Sequence, residues 1–529
     1  MTPKLAKTSA LFALVSGLGY VDAYASVASF DPATNTVTIN AVDLVDAEGR
    51  ITTYRATLGL AQTSPSLELV LTGASNAPTS PGVRAYFDAD TLEVFLPSVS
   101  VGGQEFAATL ALIPGTNPLR FRVTNLHPTA FGGCPAFAQP LGGNSCLLRG
   151  EIKQNVTLTN DITWILEGGV FFGGDNKDSV TVTIEPGTKI RGRQAADFFY
   201  VRRGSKLKAV GSPTQPIVFT GPAEQTPGEW GGVVLAGNAR VNGCNVGVPV
   251  CEQFDEAMLT PYGGNDDHDS SGVLKYAQIR FAGFAVRPDQ ELNALTLLGV
   301  GDGTIIDYVE TYRGADDGIE MFGGTVRLRH VAMVEGEDDG LDWGGGWRGK
   351  AQFVLVKQGP NSDRCVEADN NESNFDSLPR AKPRIANLTC YSPAGKFGSQ
   401  GAELRRGTGA NIHNSIFQDV PTCLRISDAA TFLNAGRPGA LTGELTIDHS
   451  YVFNCQFKDG QGATFSVAEW FRSQPGNFEA NPQLNDFLPV SGSPVLTGAG
   501  QVPDPWFVPT PYIGAFGTVD WTFGWTVGL

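Results

Sequence analysis

Two acidic segments, Gly314-Ala315-Asp316-Asp317-Gly318-Ile319-Glu320-Met321-Phe322-Gly323-Gly324 and Gly336-Glu337-Asp338-Asp339-Gly340-Leu341-Asp342-Trp343-Gly344-Gly345-Gly346, repeat one pattern 22 residues apart. A unit this short cannot bury its own apolar residues and must stack on its neighbours, which makes it one coil of a solenoid. Strands of successive coils lie about 4.8 Å apart, so Asp316 is expected over Asp338, Asp317 over Asp339 and Glu320 over Asp342. Six carboxylates in two rungs repel one another unless a cation sits among them.

The rest of the long second region has the same grain. Short strands rich in Val, Ile and Thr alternate with Gly and Pro, as in Val180-Thr181-Val182-Thr183-Ile184-Glu185-Pro186-Gly187-Thr188-Lys189-Ile190, and no helical crossovers separate them. A strand recurs as Leu274-Lys275-Tyr276, Ile306-Asp307-Tyr308, Leu328-Arg329-His330, Ala351-Gln352-Phe353, Ile385-Ala386-Asn387, Ile412-His413-Asn414 and Ile447-Asp448-His449, its third residues separated by 32, 22, 23, 34, 27 and 35. A minimum coil with insertions of variable length is how a parallel β-helix varies. Leu and Ile rows fill its interior, and the insertions project outward to build the working face.

Ahead of it lies a second duplication. Phe30-Asp31-Pro32-Ala33-Thr34 returns as Phe87-Asp88-Ala89-Asp90-Thr91, Thr57-Leu58-Gly59-Leu60 as Thr109-Leu110-Ala111-Leu112, and residues 67–72 as 119–124. Period-2 alternation predicts two short antiparallel meanders forming a small β domain over residues 26–130. A Cys/Gly/Pro-rich connector, 131–147, then leads into the β-helix, 148–529, whose aromatic ending is expected to cap the open end of the solenoid.

Residues 1–25 read as a secretory signal: Lys4 and Lys7, an apolar stretch through Ala10 to Val15, and Ala23-Tyr24-Ala25 as a small-x-small cleavage site. Ser16, Gly17, Gly19 and Asp22 interrupt the run of about 20 apolar residues that a membrane span requires. Eight Cys fit an oxidising compartment and fall in the local pairs Cys134 with Cys146, Cys244 with Cys251, Cys365 with Cys390 and Cys423 with Cys455. A formal charge of -16 excludes a nucleic-acid or anionic-lipid surface. There is no phosphate loop, dinucleotide fingerprint or Cys-x-x-Cys, and the five His are too scattered for a triad. The expected location is extracellular, cell-surface or periplasmic.

The Ile184-Glu185-Pro186-Gly187-Thr188 turn, the Gly228-Glu229-Trp230-Gly231-Gly232 segment and the Asp-Asp-Gly repeats resemble secreted bacterial right-handed parallel β-helix proteins of the pectin-lyase-like superfamily. The resemblance covers roughly residues 148–529. It implies the fold, and says little about activity. The Asn-x-Asp, Gly-His-Gly and Arg-x-Lys set of polygalacturonases is not present as a set.

Calcium suits the acidic ladder, because it takes about six to eight oxygen ligands and tolerates irregular carboxylate geometry. The expected ligands are Asp316, Asp317, Glu320, Asp338, Asp339 and Asp342, continued after a two-residue slip by Glu367 and Asp369, with further oxygens from Asn265-Asp266-Asp267-His268-Asp269. The alternative is that Asp-Gly marks turns, Asp as cap and Gly for positive φ. That accounts for one Asp per turn and leaves the acid three residues later unexplained. Trp343 and Trp347, with Arg348 alongside and Trp230 in an earlier coil, are candidates for a sugar-stacking surface, or else pack a loop onto the solenoid.

Together these features point to a secreted, calcium-stabilised β-helix that works at the cell surface or in the matrix as a binding or structural protein for polysaccharide. The alternative is a polysaccharide lyase or glycoside hydrolase on the same acidic face. The discriminating feature is a basic residue within reach of the acids, for which Arg348, Lys350, Arg405 and Arg406 are candidates. Self-association stays open.

Overall fold

The structure, a computed structural model, describes residues 26–79, 82–245, 247–255, 260–287, 290–393 and 398–529; the expected signal segment lies outside them. The chain divides into two compact units, the second beginning at Cys134.

In the first unit the duplicated sequence folds into two similar four-stranded meanders. They are β1 (Ala28–Asp31), β2 (Thr36–Val45), β3 (Ile51–Gln62), β4 (Glu68–Asn76), and β5 (Ala85–Asp88), β6 (Glu93–Val101), β7 (Gln104–Ile113), β8 (Arg120–Pro128). The sheet runs β1-β2-β3-β4-β8-β7-β6-β5, and the pairs β1–β6 and β2–β5 close it on itself, which removes both free edges. The repeated Phe-Asp motif makes the same turn twice. Asp31 accepts hydrogen bonds from the Ala33 amide and the Thr34 hydroxyl, and Asp88 accepts from the Asp90 and Thr91 amides and the Thr91 hydroxyl.

The second unit is a parallel β-helix. One ladder consists of the bent strands Gly272–Arg280, Ile305–Tyr312, Arg327–Val334, Lys350–Lys357 and Arg384–Tyr391, which in later coils break into Ala410–His413 with Ile416–Gln418 and Leu445–Asp448 with Tyr451–Phe453. The inward column Leu274, Ile306, Leu328, Ala351, Ile385, Ile412 and Ile447 is in continuous register and buried. The third residue of each recurring strand is where the strand bends. Tyr276, Tyr308, His330, Phe353, Asn387, Asn414 and His449 all have φ between 46° and 58°, a left-handed conformation that is unfavourable for side chains other than Gly or Asn. Ring stacking along the row offsets that cost: Tyr276 on Tyr308 at 4.4 Å, Tyr308 on His330 at 4.3 Å and His330 on Phe353 at 4.7 Å between centroids.

A second ladder, Leu295–Leu298, Ile319–Phe322, Leu341–Gly344, Arg364–Ala368, Gln400–Leu404 and Thr422–Ile426, carries the acidic repeat. Its interior columns are Leu295-Ile319-Leu341-Val366-Ala402-Leu424 and Leu297-Met321-Trp343-Ala368-Leu404-Ile426. The four disulfides pair as the spacing suggested, and Cys365–Cys390 ties the two ladders together within the core. Four disulfides fit an oxidising, extracellular-type compartment. No helix among the described residues is long and apolar enough to cross a membrane.

The aromatic ending differs from expectation. It runs back along the flank of the bent ladder, with Trp521 against His330 (5.3 Å) and Trp525 against Tyr276 (5.8 Å), and does not lie across the open end. The flank presents ring edges and polar side chains that this turn-rich segment satisfies. At the far coils it is the helix Val467–Arg472 that buries Trp470 and Phe471 in the core.

Candidate metal centre

On the acidic ladder, alternation turns every second residue outward, so the outward column reads Thr296, Glu320, Asp342, Glu367, Glu403, Arg425. The expected pairing of Glu320 over Asp342 is met in register. One turn earlier in each coil, Asp317 accepts the backbone N–H of Asp339 at 3.0 Å, and Asp339 accepts that of Arg364 at 2.7 Å. These two Asp are therefore inter-coil caps as well as charges. The glycines that follow serve close approach and not positive φ. A Cβ on Gly318 would lie 2.5 Å from Met333 Cγ, and one on Gly340 2.5 Å from Val356 Cγ1.

Among the described residues, acidic oxygens converge in four trios, each within 4.8 Å: Asp316, Asp317 and Asp338; Asp317, Glu320 and Asp342; Asp338, Asp339 and Asp363; Asp339, Asp342 and Glu367. These clusters can hold a metal ion. The trios differ in what neutralises them. Arg364 reaches Asp339 (3.2 Å), Asp363 (2.6 Å), Glu367 (3.0 Å) and Glu403 (2.9 Å) at once. Arg405 pairs with Glu367 and with Asp369 (2.9 Å), Arg406 with Asp369 (2.7 Å), and Arg425 with Glu403 (3.1 Å). At the other end Glu320 receives an amide N–H from Asn293 at 2.5 Å, and Asp342 Oδ1 is a buried oxygen with no hydrogen-bond partner among the described residues.

Burial and then the neighbouring acids push the carboxyls of Asp317 and Asp342 well above the usual range: Asp342, Asp339 and Glu320 act on the first, Glu320 and Glu367 on the second. Asp339 is raised by burial and by Glu367, against Arg364. Burial takes Glu367 up to about 7 despite Arg405 and Arg364. Burial also opposes ionisation of Glu403, yet its bonds to Arg364 and Gln400 hold it below the ordinary value. The metal-free column thus shares protons at its Asp317–Asp342 end and is ion-paired at its Glu403 end.

Several expected participants lie elsewhere. Trp343 and Trp347 are 0 % exposed; they donate to Thr408 Oγ1 and the Val326 carbonyl, and Trp343 occupies an inward register position, so neither offers a face to a sugar. Trp230 is likewise buried, donating to the Arg280 carbonyl. Arg348 pairs with Asp267 at 2.9 Å, and Arg240 shares that carboxylate. Asp269 accepts the Asn238 amide, and His268 pairs with Asp302, so the 265–269 segment does not join the column. Lys350 pairs with Asp504 at 2.6 Å. The basic residues beside the acids are Arg405 and Arg406, as considered, and Arg364 and Arg425, which were missed. The apolar-acid-apolar triplets Val366-Glu367-Ala368 and Ala402-Glu403-Leu404 repeat Ile319-Glu320-Met321 and would have extended the column to Glu403. Beside Asp338, Asp339 and Arg364 is a cavity of ≈ 10 Å³, which holds about one water and no sugar ring.

No curated protein matches the chain. Among solved structures, the catalytic domain of a GH87 alpha-1,3-glucanase variant in complex with tetrasaccharides aligns at 10% identity and a TM-score of 0.26, covering 86% of this chain and 99% of that one. The family model described as "Pectate-lyase like beta helix domain" matches residues 150–478. That span is more than half of the chain and coincides with the stacked coils, and the protein belongs to the pectate-lyase-like β-helix family.

Proposed function

We propose that the protein is a secreted, calcium-stabilised β-helix that binds polysaccharide at the cell surface or in the extracellular matrix. The observation that carries this reading is the unequal neutralisation of the acidic column. Guanidinium groups meet Asp339, Glu367, Asp369 and Glu403, whereas Asp317, Glu320 and Asp342 converge within 4.8 Å and Asp342 keeps a buried, unpartnered oxygen. An all-carboxylate donor set with irregular spacing fits a hard divalent cation such as calcium. Bound there, the ion would neutralise neighbouring coils and fix the outer face. Residues 26–130 are assigned to the small duplicated domain, 131–147 to the connector and 148–529 to the β-helix, with export directed by residues 1–25.

The second reading, a lyase or hydrolase, draws on Arg405 and Arg406 standing beside Glu367 and Asp369. It is the weaker one. A guanidinium locked between carboxylates is held protonated, Arg405 being raised despite burial by Asp369 and Glu367, and cannot act as a base. The Asp339, Asp342 and Glu367 oxygens lie within 4.8 Å, tighter than the roughly 5–9.5 Å that separates the carboxyl pair of a glycosidase. A glycan array run with calcium and with chelator, followed by assays for unsaturated and reducing-end products on whatever binds, tests the assignment. Calcium-dependent retention without products is expected; turnover of a retained glycan would replace binding with catalysis.

A further inference from the structure

The flank segment after residue 503 is held by side chains from successive coils that bond to its backbone. Asn387 Nδ2 donates to Tyr512 O and Gly514 O (3.1 Å each), Gln352 exchanges two 2.8 Å bonds with Val508, Arg329 donates to Trp506 O at 2.7 Å, and Gln278 donates to Trp525 O. The last contact has a different character. Glu310, fully buried, accepts the N–H groups of Val527 (2.8 Å) and Gly528 (2.9 Å), while Lys357 Nζ donates to Gly528 O at 2.9 Å. The seat fits only glycine, since a Cβ at 528 would lie 2.6 Å from both the Tyr312 ring and Val334.

We propose that residues 522–528 form a proton-linked latch, seated on Glu310 and Lys357 in mild acid and loosened as the pH rises through neutrality. A carboxyl buried beneath a removable segment regains water when that segment lifts, so seating and protonation are linked. Burial, opposed by the two amides and by Arg280 and Lys357, takes the Glu310 carboxyl from 4.5 up to about 7. Its contribution to seating is therefore complete below 4.5 and lost as the pH passes about 7. Of the charges facing it, Arg280 also pairs with Glu224 (3.4 Å) and Lys357 with Glu335 (3.2 Å); residues 522–528 bear no charged side chain. His330 stays under Trp521 when only 522–528 lifts. Because Lys357 also lines the cavity beside Asp339 and Arg364, the latch ends one side chain from the acidic column.

Hydrogen exchange of the full chain between pH 5 and 8, corrected for intrinsic rates and read by mass spectrometry over 522–528 with Lys350–Lys357 as internal standard, tests the latch. Wild-type protection at 522–528 should fall on the order of 10- to 100-fold across that range, with the standard unchanged. Glu310→Gln, which keeps the shape without the titration, should abolish the fall. Gly528→Ala should leave the segment unprotected at both pH values with the standard intact. Wild-type protection independent of pH, an unaltered slope in Glu310→Gln, or parallel loss in the standard would each overturn the proposal. If Glu310→Gln fails to fold, the wild-type slope and Gly528→Ala decide the matter.

Discussion

The two ends of the acidic column share one strand register and one alternation, yet meet like-charge repulsion in different ways. Glu367, Asp369 and Glu403 are matched by Arg364, Arg405, Arg406 and Arg425. Asp317 and Asp342 have carboxyls raised by burial and by neighbouring acids that include Glu320, and Asp342 keeps an oxygen unpaired. A solenoid imposes this choice, because stacking at about 4.8 Å copies any outward acid onto its neighbour. A cation supplied in the sequence makes the assembly permanent, whereas one taken from solution makes it conditional. The sharpest way to break the contrast is Arg364→Met. It strips the shared guanidinium from four carboxylates, and removing one partner of a buried ion pair costs about 3–5 kcal/mol. Denaturant unfolding should show a loss of that size. A loss below 1 kcal/mol would mean that the two ends do not differ.

At the other end the effect should depend on metal. Calcium at 100 times its dissociation constant adds about 2.7 kcal/mol, so calorimetry with calcium and then with chelator should show a higher Tm with the ion. Asp342→Asn should erase that shift while leaving the chelated protein as stable as wild type or more so, since one of the repelling charges is gone. An equal calcium shift in wild type and Asp342→Asn would place the ion elsewhere.

The pH dependence in chelator separates the ends further. Asp317, Asp339 and Asp342 are raised, and Glu367 stands at about 7. Raised carboxyls contribute stability that is complete below their unfolded values near 4 and lost as the pH rises through the folded ones. The metal-free protein should therefore melt higher at pH 5.5 than at pH 8. Glu310 acts in the same direction, so the column's share is the part that Asp342→Asn reduces. Calcium should narrow the gap, because its ligands must be deprotonated.

Much of this was legible in the sequence because a solenoid turns linear spacing into contact. The 22-residue repeat fixed Glu320 over Asp342, and the recurring triplets marked Tyr276 through His449, whose common role as left-handed corners needed the backbone to be seen. Trp343 failed as a surface residue for a reason already present in its strand. Leu341-Asp342-Trp343 alternates, so an outward Asp342 forces an inward Trp343. Arg364 was illegible because two of its four partners, Asp339 and Glu403, come from the coils before and after its own, at distances set by insertions. Asp267 failed similarly: acidic composition attracted it to the ladder, but Arg240 and Arg348 claim it across 27 and 81 residues.

The smallest effect expected is at Arg348. Its partner Asp267 keeps the Arg240 guanidinium and accepts the Arg240 backbone N–H at 3.1 Å, so Arg348→Ala leaves no carboxylate stranded. Partly exposed ion pairs contribute about 0–1 kcal/mol, and the loss should fall within that range, with the calcium shift unchanged because Arg348 does not touch the column. Glycan retention should also be unchanged if the binding face follows the acidic ladder. A variant of normal stability and normal calcium response that nevertheless loses its glycan would move the sugar surface to the Asp267 loop, and the contrast between the two ends of the column would then describe how the solenoid is held together and not where it binds.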